Sequence, residues 1–180
     1  MPKSRTVRAF SAGGVVFRRA SIPDRSACVD VAERLASATT ASPPAPASPL
    51  TTAVDIVLVG RASEEFWVLP KGTPAPNETI PEVALREVRE ETGVTARIIA
   101  ELGSIHYWFV RKGVRFNKEV FYYLMEATGG DVSLHDHEYD DARWFAIGEA
   151  QSRLTYANEA EMVRRAAVLI AQRPHADDER

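Results

Sequence analysis

The segment TIPEVALREVREETG, Thr79 to Gly93, limits the folding of this 180-residue chain more than any other stretch. Both ends of a helix are legible in it. Thr79 with Glu82 three residues on forms a capping box, Pro81 sits in the first turn where its missing N–H does no harm, and Gly93 suits the left-handed position past the last turn. At about 100° per residue, Ala84, Leu85 and Val88 share one arc, which predicts a face turned to a sheet. Glu87, Glu90 and Glu91 gather on the adjacent arc, at the negative end of the helix dipole. Pairs such as Arg86 with Glu90 or Glu82 offset little, about 0.2 to 0.5 kcal/mol each. Partly desolvated carboxylates about 5 Å apart, at an effective dielectric of about 20, repel by on the order of 3 kcal/mol. Such a cluster asks for a positive partner. All-oxygen ligands favour a hard divalent cation, Mg²⁺ or Mn²⁺, which keeps waters and substrate phosphates in its shell.

The flanks read mostly as strands. FSAGGVVFRR, Phe10 to Arg19, carries a β-branched run and a glycine pair that marks a close backbone approach or a bulge. VDIVLVGR (Val54 to Arg61) and FWVLPKG (Phe66 to Gly72) follow, the second ended by Pro70 and Gly72. Arg97 to Val110 and Val114 to Ala127 flank an RKG turn as a hairpin, and Ala142 to Ile147 is a further short strand. A closing helix is predicted over ANEAEMVRRAAVLIAQR, with Asn158 and Glu161 as its cap and Met162, Val163, Ala166, Leu169 and Ile170 at helical spacing. Strands with one helix in the middle and one at the end point to an α/β fold, a mixed sheet covered by helices.

Composition supports a single domain, residues 1–180, long enough to bury a core. Between Ser37 and Ala53, four prolines stand among small residues. Such a segment buries too little to offset its ordering entropy, so 37–53 is expected to be a disordered insertion between strands. Residues 28–36 before it form at most a short helix. With 22 Lys plus Arg against 25 Asp plus Glu the net charge is −3, which gives no general attraction to duplex nucleic acid or to membranes. The lone Cys28 can form no internal disulfide, and no apolar run spans a bilayer. The basic start lacks a following apolar signal region, so a cytoplasmic location is expected.

Gly72 to Val94 resembles the Nudix box: Gly, five residues, Glu, seven residues, then Arg-Glu-aliphatic-any-Glu-Glu-any-Gly-aliphatic. Gly72, Glu78, Arg86, Glu87, Val88, Glu90, Glu91, Gly93 and Val94 meet every fixed position. The resemblance implies an α/β/α sandwich that hydrolyses a pyrophosphate bond in a nucleoside diphosphate-linked substrate. By the same resemblance, Glu87, Glu90 and Glu91 bind the Mg²⁺ or Mn²⁺, a backbone carbonyl near Lys71 or Gly72 helps, and Arg86 and Glu78 brace the loop. One carboxylate must accept the proton of the attacking water. The candidates are the helix acids Glu90 and Glu91 and, in the loop HDHEYDD, Glu138, with Asp140 or Asp141 as substitutes.

WVLPKGT and RLTYANE look like segments of diadenosine polyphosphate hydrolases, which makes a dinucleoside polyphosphate the expected substrate. Lys71 is expected to contact phosphate as a point charge, and Lys118, Tyr122 and Tyr123 are similar to a Lys and aromatics that line polyphosphate sites in those relatives. Alternation puts His106 and Trp108 on one strand face and Tyr107 and Phe109 on the other, one face for a base and one for the core, with Trp108 taken as the stacking candidate. Alternatives are an oxidised triphosphate such as 8-oxo-dGTP, a diphosphoinositol polyphosphate, or, from another class, a non-catalytic nucleotide-sensing module. The intact acid set argues against the last. Two features depart from the family pattern: the loop TPAPNE, and the Pro-rich insertion. The expected partner is a small nucleotide, bound by a monomer or homodimer.

Overall fold

The computed structural model describes residues 6–20 and 53–173. The insertion at 37–53 up to its final Ala53, the short helix suggested at 28–36, and Cys28 lie outside the described residues.

Strand β1 (Thr6–Ala20) is the spine of a seven-stranded mixed sheet. It runs parallel to β6 (Val114–Gly130) and antiparallel to the first half of β2 (Ala53–Arg61). The last pair between β1 and β2 is Phe17 with Ile56, after which the strands part. Phe66 to Gly72 fills the opening. Its first piece, β3 (Phe66–Val68), pairs with β2 through Val59 and Val68, and its second, β4 (Lys71–Gly72), pairs with β1 through Gly13 and Ala12. The single strand expected at 66–72 is therefore two. The change of partner falls at Leu69–Pro70, where proline has no N–H to give a ladder. Gly13 makes the crossing possible, since a Cβ there would lie 2.1 Å from the Pro70 carbonyl oxygen.

Helix α1 (Ile80–Thr92) covers one face, seating Val83, Ala84 and Val88 against Ala12, Val16, Val57 and Met125. Its ends are as expected: the Thr79 N–H donates to Glu82 Oε2 at 2.8 Å, and Gly93 has φ 70° with its N–H on the Arg89 carbonyl at 2.9 Å. On the other face, α2 (Ile147–Arg153) and α3 (Ala157–Ala171) bury Ala150, Met162, Val163 and Ala166 against Val15, Ile56, Leu58 and Leu124. This is the α/β/α sandwich. Helix α2 was not foreseen; it begins at Ile147, just past β7 (Asp141–Ala146), which pairs with β2.

The expected cap of α3 needs correcting. Tyr156 is the N-cap and makes no side-chain cap bond, while Glu161 pairs outward with Arg164. The helix entry is instead pinned by Thr155, whose N–H donates to the Trp67 carbonyl and whose hydroxyl oxygen accepts from the Trp67 N–H. The hairpin of β5 (Val94–Arg111) and β6 turns at Lys112 and Gly113, both at positive φ, as a two-residue turn requires. Among the described residues, no helix is long and apolar enough to cross a membrane.

Candidate active site

Where β1 and β2 part, the C-terminal half of α1 lies beside β4. Gly72 and Glu87 meet there so closely that a Cβ on Gly72 would fall 2.0 Å from the Glu87 carboxyl carbon. Glu91, one turn on, is 1% exposed. Its Oε2 accepts the Lys71 N–H at 2.8 Å, and its Oε1 is buried with no hydrogen-bond partner. Burial pushes its pKa up from 4.5 to about 8, against the opposing pull of the Lys71 N–H and the Lys71 charge. Burial raises Glu87 as well, with the Arg86 hydrogen bond opposing. A buried, unpaired carboxylate oxygen costs on the order of 1–3 kcal/mol or more when left unmet. Two such acids side by side are a strained arrangement that a cation would relieve.

Arg86 organises the rest. Its guanidinium donates to Glu78 at 2.6 and 2.8 Å, to Glu87 Oε1 and Glu90 Oε2 at 2.9 Å each, and to the Thr73 carbonyl at 3.1 Å. A planar fork suits this bridging role in a way a lysine does not. Glu78 also accepts the Ala75 N–H, and with Arg86 as the first cause its carboxyl is held down to about 2. The loop between β4 and α1 is thus tied to the helix by one side chain. Glu90 is the outlier of the three helix acids. Half exposed, it turns to Arg86 and a hollow of about 540 Å³ that also includes Arg89, Leu134 and Asp136. That hollow is the larger of the two main ones, yet neither buried carboxylate lines it.

A second cleft, of about 400 Å³, opens on the Lys71 side. Phe66, Tyr107, Tyr139 and Tyr156 give it aromatic walls, and Lys71, Asn158 and Glu159 supply its polar groups. The family model described as NUDIX domain matches residues 45–166, a span that includes the whole of this arrangement from β2 into α3. The chain belongs to the Nudix family.

Relatives carry several names. The chain is 43% identical over 116 residues to the "Putative mutator protein MutT4" of Mycobacterium tuberculosis, covering 63% of this chain and 47% of that protein. It is 36% identical to an 8-oxo-(d)GTP phosphatase of Mycolicibacterium smegmatis, covering 62% of this chain and 33% of that one. With the rat asymmetrical bis(5'-nucleosyl)-tetraphosphatase it shares 32% identity, over 56% of this chain and 69% of the relative. The Nudix segment thus spans less than half the length of the two mycobacterial relatives. In fold it resembles a C. elegans Ap4A hydrolase binary complex, at TM-score 0.58 and 17% identity over 92% of this chain and 99% of that one.

Nudix hydrolases are generally divalent-metal dependent, and the residues here fit such an ion. Among the described residues, no three His, Cys, Asp or Glu side chains converge tightly enough to hold a metal by themselves. Glu90 is half exposed and shares the Arg86 Nη1 donor with Glu87, so the expected trio comprises a buried pair and an exposed third. Mg²⁺-class ions need only one or two carboxylates, since waters and phosphates complete their shell. Glu91 Oε1 and the Glu87 carboxylate are the pair that could hold such an ion.

The remaining expected residues are distributed unevenly. Lys118 lies half-buried, and burial lowers its pKa, with Lys71 also lowering it and Glu87 and Glu138 opposing. Glu138 is exposed in its loop, where its N–H is held by Asp136 at 2.9 Å, and its charge is felt at Glu87 and Glu91. Tyr122, expected to contact substrate, is 1% exposed, and its hydroxyl donates to Glu159 at 2.9 Å. Trp108, the expected stacking candidate, is 52% exposed, lies under Arg115, and alternation puts it on the face opposite Tyr107. Tyr139, Tyr156 and Glu159 are among the cleft residues given no site role above, and Tyr107 comes from the strand face left open between base and core.

Proposed function

We propose that this chain is a Mg²⁺- or Mn²⁺-dependent pyrophosphohydrolase of nucleoside polyphosphates. The observation that carries the reading is the buried Oε1 of Glu91, without a partner among the described residues, in a carboxylate that accepts the N–H of Lys71, a residue lining the aromatic cleft. Water adds its oxygen to one phosphorus, and the bridging oxygen leaves with the bonding electron pair. The water's proton passes to a carboxylate. The exposed Glu138 is the acceptor best placed to exchange that proton with solvent afterwards. A bound cation neutralises the diphosphate and makes the attacking water more acidic. Arg86 fixes the angle of Glu87, and Lys71 and Lys118 bring positive charge to the phosphates.

The cleft has room for one nucleoside, and stacking on Tyr107, Tyr139 or Tyr156 holds a base without specifying it. A dinucleoside polyphosphate keeps one base there and projects its second nucleotide outward. The similarity to the rat tetraphosphatase supports this substrate. A second reading, an oxidised purine nucleoside triphosphate, is favoured by the higher identity to the mycobacterial proteins. Product release from diadenosine tetraphosphate, 8-oxo-dGTP and dGTP with Mg²⁺ separates them by kcat/KM. Binding of every nucleotide without turnover of any would instead mark a sensor.

The wall assignment makes its own prediction. Tyr107→Ala is expected to raise KM by roughly 5- to 150-fold, the equivalent of about 1–3 kcal/mol for a stacked base. Trp108→Ala, on the far face, is expected to leave KM within about twofold. Steady-state kinetics of both variants on the preferred nucleotide decide this, and the reverse order of effects would return the base to the Trp108 face.

A further inference from the structure

The hydrolytic reading leaves one buried acid without a role. Glu159, in the first turn of α3, is 1% exposed and fully paired. Lys71 Nζ lies 3.1 Å from its Oε1, the Tyr122 hydroxyl donates to the same oxygen at 2.9 Å, and the Leu69 N–H donates to Oε2 at 3.0 Å. Three donors from β3–β4 and β6 thus converge on one carboxylate carried by a different layer of the fold.

Lys71 stands at a fork between two acids. Its backbone N–H serves Glu91, while its ammonium turns the other way, to Glu159 and to the Leu69 carbonyl at 3.2 Å. Glu91 Oε1 is buried with no partner among the described residues, and the Lys71 charge is felt at Glu91. A mobile ammonium beside an unpaired buried carboxylate is drawn to it, because the attraction is strong where water is excluded. Here the ammonium is held elsewhere. We propose that Glu159 is a positioning residue that ties the Lys71 ammonium to the cleft side and so keeps it off Glu91, leaving the free Glu91 oxygen for a divalent cation. The inference rests on the pyrophosphohydrolase reading for its purpose, though not for its test.

Mn²⁺ uptake, followed by the paramagnetic resonance of the free ion, tests this without turnover. Glu159→Gln keeps the shape of the side chain and one oxygen for Tyr122 or Leu69, but loses the ion pair. It is expected to weaken Mn²⁺ binding by about tenfold, the lower end of what losing a residue that orients a metal ligand does. Adding Lys71→Ala removes the competitor and is expected to restore binding to within about twofold of wild type. Lys118→Ala added to Glu159→Gln restores the same net charge but keeps Lys71, and is expected to stay weak.

Binding by Glu159→Gln within twofold of wild type overturns the proposal. Equal weakening in Glu159→Gln and its Lys71→Ala double variant does so too, since Glu159 would then act through packing, and thermal midpoints of the two would show it. Recovery in the Lys118 variant assigns the effect to net charge and overturns it as well. Nucleotide hydrolysis is scored separately. The expected Mn²⁺ pattern in a protein that cleaves no nucleotide would end the hydrolase reading and leave the role of Glu159 standing.

Discussion

Glu91→Gln is expected to lower kcat by about 10²- to 10⁴-fold, the range associated with loss of a positioned carboxylate, and at the same time to make the metal-free protein more stable at pH 8. The two effects have one cause. Glu91 is 1% exposed with one oxygen unmet, so ionising it in the absence of a cation leaves a buried charge uncompensated. Its pKa stands at about 8 in the fold against 4.5 for an ordinary glutamate side chain. Between those values the folded chain binds a proton that the unfolded chain has released. Stability tied to this group is therefore complete below about pH 4.5 and is lost as pH rises towards 8, at up to about 1.4 kcal/mol per pH unit. Glu87 shifts in the same direction and adds to the slope. Glutamine can still accept the Lys71 N–H and carries no charge to bury. Urea midpoints measured in EDTA from pH 5 to 8.5 should fall for the native chain and stay flatter for the variant. A variant with native activity, or with the same pH slope as the native chain, would remove Glu91 from the centre of the site.

The amide should also reverse the response to metal. Anything that binds only the folded state raises its stability by mass action. Saturating Mg²⁺ is expected to raise the midpoint of the native chain at pH 8 and to leave that of Glu91→Gln almost unchanged. Stability without metal and activity with it thus pull in opposite directions at one residue, as is common where function requires strain.

How much of this was legible in the sequence depended on how local the cause was. The capping box at Thr79, the helix stop at Gly93 and the turn at Lys112–Gly113 are decided within a few residues, and each stands where its signal predicted. The bracing of Glu78 by Arg86 was expected from the resemblance to the Nudix box, and the ion pair between them is present. Burial is not legible in this way. Glu159 reads as an ordinary first-turn acid, and only the contact between Leu69 and α3, 90 residues apart, buries it. The placing of Tyr122 and Trp108 relative to the cleft is non-local for a related reason. Strand alternation tells which residues share a face, but which face becomes cleft or core depends on where α2 and α3 dock, and α2 carried no signal strong enough to be seen. The sharing of one Arg86 nitrogen by Glu87 and Glu90 is likewise a matter of side-chain placement, which spacing alone does not reveal.

Gly72→Ala should separate the fold from the site. Gly72 has no left-handed φ to preserve, so the demand for glycine is purely one of space. An added Cβ would lie 2.0 Å from the Glu87 carboxyl carbon and 2.1 and 2.2 Å from its oxygens. Either β4 retreats from its pairing with Ala12, or the Glu87 side chain moves. The side chain is the softer of the two, because a carboxylate at the end of a flexible stem yields before a sheet hydrogen bond. The expected loss of stability is therefore modest, about 1 kcal/mol at the low end of overpacking effects. The loss of activity is expected to be much larger, on the order of 100-fold, since Glu87 must leave the place where Arg86 and the glycine gap hold it. Gly148→Ala is the control, with nothing within 4 Å of its added Cβ. It should keep both activity and urea midpoint. Should Gly72→Ala keep its kcat within about twofold while its midpoint falls, Glu87 would be a bystander, and the contact between β4 and α1 would matter only to packing.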